Sequence, residues 1–249
     1  LAPDGKIIFT AKAGEARTIW EMDADGNNQR QLTVVQKDSK DQQISLTPDN
    51  RFLVFESDRS GASEIWRSNR DGTDLQMLTN GGGNIQPALS PDGKWIVYVA
   101  DRNGQRQLWR VSVDGGAPTQ ITAEKSMWPA ISPDGRYIAY AYGKYDSNPN
   151  PVIRIIPSNG GAPGKTFEVP IEAAIYNRLC WSPDGKAIVY KDESLGLWRQ
   201  DLSRDKPERI ELPGDLRVYH FGYSADGTMI YTAALPIREI VILESSQSD

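Results

Sequence analysis

Apolar and polar positions along this chain fall into short runs. Between residues 85 and 122, "IQPALS", "KWIVYVAD", "QLWRVSVD" and "PTQIT" are rich in β-branched and aromatic residues and are separated by Gly, Asp and Pro. No stretch carries apolar residues at three-and-four spacing for even three turns, so the pattern predicts strands throughout and almost no helix. Asp-Gly pairs between the runs predict hairpin turns, because glycine accepts the positive φ such turns require.

The same order returns along the chain. A turn recurs as "APDG" at 2–5, "TPDN" at 47–50, "SPDG" at 90–93, 132–135 and 182–185, and "SADG" at 224–227, with spacings of 45, 43, 42, 50 and 42 residues. A second turn recurs as "DADG" (23–26), "NRDG" (69–72), "SVDG" (112–115) and "PSNG" (157–160). Four antiparallel strands repeated at this period predict an all-β, six-bladed β-propeller of four-stranded blades, a single domain over residues 1–249. Its blades begin near residues 1, 41, 84, 126, 174 and 216. One such sheet cannot bury two apolar faces alone, and a stack of sheets can. About 22 strands are legible. The first and last blades read as incomplete, lacking an innermost and an outermost strand respectively.

These residues also carry a resemblance. The pattern S-P-D-G-x-x-I-x-Y, then I-W-x-x-x-x-D-G, then L-T resembles the TolB-type propeller repeat, and it runs through essentially the whole chain. The resemblance implies a propeller of the kind found in TolB, in peptidase propellers and in bacterial sensor proteins. The last unit, "YHFGYSADGTMIYTAALPIREIVILESS", is similar to the end of propellers attached to bacterial serine/threonine kinases and winged-helix regulators. That likeness implies an extracytoplasmic, periplasmic setting.

Composition narrows the chemistry. Net charge is −5, which disfavours wholesale binding to nucleic acid or acidic membrane, and no apolar run reaches the roughly 20 residues of a membrane span. A lone cysteine, Cys180, excludes an internal disulfide, and a lone histidine, His220, excludes a two-histidine metal site. "EMDADG" (21–26) has carboxylates at calcium-loop positions, but Leu32 stands where the closing glutamate belongs. "GYSADG" (222–227) resembles a nucleophile elbow, with Asp226 in place of its second glycine. Neither catalytic nor metal-binding residues are expected, and no cofactor. The repeated Asp reads as a turn residue, bonding backbone beside the Pro that sets φ. Trp20, Trp66, Trp109 and Trp198, with Arg154 at the same place in the fourth unit, read as packing between blades.

Strand order then selects a face. Antiparallel blades put both recurring turns on one face, and the second-to-third-strand loops with the blade connections on the other. Insertions in the fourth unit fall on that second face, in "YGKYDSNPNP" (142–151) and near "VPIEAAIY" (169–176). Functional residues concentrate on such loops. Counting back four from each turn along the inner strands gives Gln43, Gln86, Trp128, Arg178 and His220. With alternation, these lie on one side, above small residues and beside Tyr176. They predict a recognition site at the channel mouth, flanked by Tyr142, Lys144 and Tyr145.

The leading expectation is a non-enzymatic binding or sensing propeller that takes a protein segment or a small polar ligand. Its rivals are the accessory or gating propeller of a larger peptidase or kinase, and an enzyme such as a polysaccharide lyase on the same fold.

Overall fold

The computed structural model describes residues 2, 4–36, 38–142, 152–169, 178–192, 194–214, 216–223, 227–234 and 240–244. These residues contain strands and turns and no helix. The strands form antiparallel meanders in which neighbours in sequence are neighbours in the sheet. The first sheet holds β1 (Ile7–Ala13), β2 (Ala16–Met22) and β3 (Arg30–Gln31). The second holds β4 (Asp41–Leu46), β5 (Phe52–Ser57), β6 (Glu64–Asn69) and β7 (Gln76–Met77). The third holds β8 (Asn84–Leu89), β9 (Trp95–Arg102), β10 (Gln105–Ser112) and β11 (Thr119–Gln120). The fourth holds β12 (Met127–Ile131), β13 (Tyr137–Tyr142), β14 (Val152–Pro157) and β15 (Lys165–Glu168). The fifth holds β16 (Leu179–Trp181), β17 (Ala187–Lys191), β18 (Leu197–Asp201) and β19 (Glu208–Ile210). The sixth, among the described residues, holds β20 (Arg217–Tyr223), β21 (Met229–Ala234) and β22 (Ile240–Glu244).

The chain divides into two compact units, Leu1–Pro129 and Ala130–Asp249. Within each, the core lies between consecutive sheets. In the first unit, Ile19 and Leu32 of the first sheet pack with Leu53, Phe55 and Trp66 of the second. Phe52, Val54 and Ile65 of the second pack with Ile96, Tyr98 and Trp109 of the third. In the second unit, Val189 and Leu197 of the fifth sheet pack with Val218, Phe221 and Tyr231 of the sixth. Such packing explains why β5 and β17 are buried along their whole length, with both faces covered. Trp66 and Trp109 join these clusters from their edges, as expected of packing residues.

The first recurring turn is a closed hydrogen-bond motif. The Ser90 hydroxyl donates to Asp92 Oδ1 (2.6 Å), and the same oxygen accepts from the Lys94 N–H (3.1 Å). Ser90 Oγ in turn accepts from the Trp95 N–H. The set repeats at Ser132–Asp134 and Ser182–Asp184. These bonds hold the Asp92 and Asp184 carboxyls below the usual range and take Asp134 to about 2, the serine hydroxyl being the largest cause in each. The turn also joins sheets. Gly93, at φ +70°, sits against Pro48 of the preceding turn, and Gly185 sits against Pro133 in the same way. The Asp is a turn residue, and the repetition serves the packing of one sheet on the next within each compact unit.

The threonine of each "LT", or of "IT" at 121–122, closes the outer part of the sheet. Thr33, Thr79 and Thr122 Oγ1 accept from the N–H groups of Ile19, Ile65 and Leu108, each at 2.9 Å. A side chain thus replaces a ladder bond, and β3, β7 and β11 are only two residues long.

Candidate functional site

The inner strands β4, β8 and β12 depart from alternation at one shared position. Gln43, Gln86 and Trp128, each four residues before its turn, have φ of 53°, 57° and 55°. Left-handed backbone is uncommon for side chains of this size and is found where surrounding structure enforces it. In β4 the register shifts between Gln42 and Ser45, and in β8 between Ile85 and Ala88. Two residues of the inner strand therefore oppose one of its neighbour, which is a β-bulge. The expectation that residues four and six before the turn share one side by simple alternation is corrected here. The extra residue re-aims the side chain at the fourth position. At the sixth, Asp41, Asn84 and Ser126 are buried and engaged internally, with Arg59, Glu64 and Thr122 respectively.

A chain of hydrogen bonds connects the bulges. Gln42 Nε2 donates to Glu56 Oε1 (2.7 Å), and the Gln86 N–H donates to Glu56 Oε2 (3.0 Å). The Gln86 side chain then accepts from the Trp128 N–H (2.8 Å). Glu56 is only 3% exposed, and burial pushes its carboxyl up against the hydrogen bonds it accepts. In the second unit Lys191 does the converse job. It stands nine residues after its turn, as Glu56 does, and its ammonium donates to the Tyr219 carbonyl (2.8 Å). Tyr219 is the unpaired residue of the β20 irregularity. Burial lowers the Lys191 ammonium. One buried charge accepts from the next sheet's strand and the other donates to it.

The structure brings Gln86 and Trp128 together and leaves Gln43 exposed on its own bulge. Gln86 is buried, its amide oxygen held by Trp128, whose side chain is half-buried. Arg178 is exposed just before β16, and His220 is exposed in β20 with its Nδ1 3.4 Å from Thr232 Oγ1. Tyr142 ends β13 with the Arg154 guanidinium 3.8 Å from its ring centre. Lys144, Tyr145 and Tyr176, with most of both inserted segments, lie outside the described residues. Sequence reasoning missed Glu56 and Lys191, each a single charge ending an otherwise apolar run. It also missed the bulges in β4 and β8, the second of which Pro87 signals, since proline in sheets is confined to edges and bulges.

Cys180 is half-buried, and burial raises its thiol. The carboxylates of "EMDADG" are each engaged, Glu21 by Arg30, Asp23 by Lys6 and Asp25 by Asn27. Among the described residues, no group of three or more His, Cys, Asp or Glu side chains is placed to hold a metal ion. No helix among them is long and apolar enough to cross a membrane.

Comparison with known families decides the affiliation. The model of the TolB beta propeller domain matches residues 1–160. The chain belongs to this family. Among solved structures, this TolB-family chain resembles TolB from Acinetobacter baumannii with a TM-score of 0.73 at 18% identity, covering 96% of the chain and 61% of that protein. It resembles oligogalacturonate lyase in complex with manganese with a TM-score of 0.64 at 16% identity, covering 94% and 69%. At such identities the likeness is one of fold. An uncharacterized protein of Agrobacterium fabrum is 29% identical over 80 residues, 32% of this chain and 27% of that protein. The chain therefore spans less than two thirds of both the TolB structure and this relative.

Proposed function

We propose that this TolB-family propeller is a non-enzymatic binding module, six-bladed and extracytoplasmic, that recognises a protein segment or small polar ligand along its inner-strand bulges. The observation that carries the reading is the left-handed backbone at Gln43, Gln86 and Trp128 in three successive inner strands. Such backbone is costly and clusters where ligands are gripped. Gln43 offers an exposed amide and Trp128 a half-buried ring. Arg178 and His220 hold the matching sequence positions within the second unit, where they offer an anion partner and a hydrogen-bonding ring of that unit's own.

A photo-crosslinking residue at the position of Gln43 tests this in the native host, with one at Asp25 as control. A partner captured from position 43, lost in Trp128→Ala and absent from position 25, supports the reading. Capture from position 25 alone overturns it. Turnover of oligogalacturonate with manganese by the purified chain would transfer the lyase neighbour's chemistry here and overturn the non-enzymatic part.

A further inference from the structure

The recurring-turn end of the first unit holds an open cleft of about 500 Å³ between the first and second sheets. Asp4, Lys6, Glu21 and Arg30 line one side, and Arg51, Phe52, Asn69, Arg70 and Asp71 the other. Its volume is within the range of small-molecule sites. The floor is fixed by Glu21, which is buried. Glu21 Oε1 accepts from Arg30 Nε (3.0 Å) and Nη2 (2.6 Å), and Oε2 lies 2.6 Å from Arg70 Nη1. Arg70 Nε is spent on Asn50 Oδ1. At the next joint Arg67 stands where Glu21 does, one residue after the tryptophan. It spans to the Val113 carbonyl and Asp114 with its guanidinium 4.2 Å from the Phe52 ring centre. Glutamate is shorter than arginine, and the joint that Glu21 serves keeps its space.

The cations around that space are unequally used. Lys6 pairs with Asp23 at 2.8 Å. Arg51 is different: its side chain is 68% exposed, and its carboxylate neighbour Asp49 is 3.8 Å away. Its guanidinium is held instead over the Phe52 ring, 4.7 Å from the centre, which leaves its N–H edge for a partner. We infer that this cleft is a site for a small molecule carrying a carboxylate or phosphate, gripped by Arg51 with Arg30 and Lys6 beside it. Asp4 and Asp71 on the rim suit hydroxyl or amine groups on the rest of such a ligand and disfavour highly charged polyanions. This site is separate from the bulge residues and stands whether or not they bind.

Thermal unfolding of the whole chain is the test, with sodium phosphate or sodium succinate titrated at constant ionic strength against sodium chloride. The expected result is a rise in Tm for the wild type with one or both anions. Phosphate alone identifies a phosphate site, and succinate alone a carboxylate site. Arg51→Ala should keep the Tm in chloride and bind the active anion roughly tenfold more weakly or worse, as loss of a charge-assisted bond predicts. Arg51→Lys serves if Arg51→Ala misfolds, since a point charge keeps the fold and weakens a bidentate grip. Trp128→Ala should leave the shift intact. No shift with either anion, or an undiminished shift in the Arg51 variant, overturns the inference.

Discussion

A β-carbon placed on Gly93 would stand 3.0 Å from Cδ of Pro48. The glycine belongs to one recurring turn and the proline to the turn before it, so the pair fixes how closely two sheets approach. Gly5 has a similar φ of +78° with no described atom within 4 Å of its would-be β-carbon. Gly5→Ala should therefore cost about 1 kcal/mol, from backbone strain alone. Gly93→Ala should cost about 1–3 kcal/mol, with the surplus reporting the contact. Urea unfolding midpoints at constant m-value check both, and equal losses would remove the proline from the account.

Gly72 is the more severe case. Its would-be β-carbon falls 1.8 Å from the Leu32 carbonyl oxygen, at φ +87°. No side chain can yield there, so the whole second turn has to move off the first sheet. Gly72→Ala should cost about 3 kcal/mol or more and slacken the Leu32 N–H bond to the Ile19 carbonyl. Hydrogen exchange at Leu32 reads that loosening directly.

Asp134 gives a pH signature. Its carboxyl ordinarily titrates at 3.8 and is held at about 2 in the fold, first by the Ser132 hydroxyl and then by the Arg136 N–H. The fold thus favours the charged form. Its contribution is present above the ordinary value and is lost as pH falls through the folded one, between about pH 4 and pH 2. Because the side chain is 45% exposed, solvent screens much of the effect. Asp134→Asn should flatten the stability curve in that window and leave its slope near neutrality unchanged. Equilibrium unfolding across the acid range is the measurement.

Removing Glu56 should loosen the bulges at a distance. In Glu56→Ala the Gln86 N–H loses its buried acceptor, at a cost of about 1–3 kcal/mol. Exchange protection should fall at Gln86 and also at Trp128, whose N–H depends on the Gln86 side chain. Protection lost at Gln86 alone would mean that the two inner strands are held independently.

The strand order and turns were legible because each rests on local chemistry that repeats: Pro-Asp-Gly turns, β-branched runs and an "LT" that closes the sheet. Fidelity of period made even the two-residue β7 and β11 findable. The bulges were not legible. Nothing about glutamine or tryptophan announces a left-handed backbone, and counting by twos hides an inserted residue. Gln86 was picked for its polarity and proves buried and bonded to Trp128, while Glu56, which positions it, looked like the end of an apolar run. Arg51 stands beside a recurring turn, and nothing in the sequence around it marks a site. What distinguishes its cleft is which side of a joint supplies the acid, a property of two sheets together.

That alternation of acid and base has a consequence for assembly. Near-identical repeats risk docking on the wrong neighbour while they fold. Here Glu21 of the first sheet meets Arg70 of the second, and Arg67 of the second meets Asp114 of the third. Were the third sheet to settle against the first, Glu21 would lose Arg70, keep only Arg30 of its own sheet, and face Asp114 instead of a second cation. These two joints are keyed by sign, so charge favours the neighbouring sheet over the one two places along.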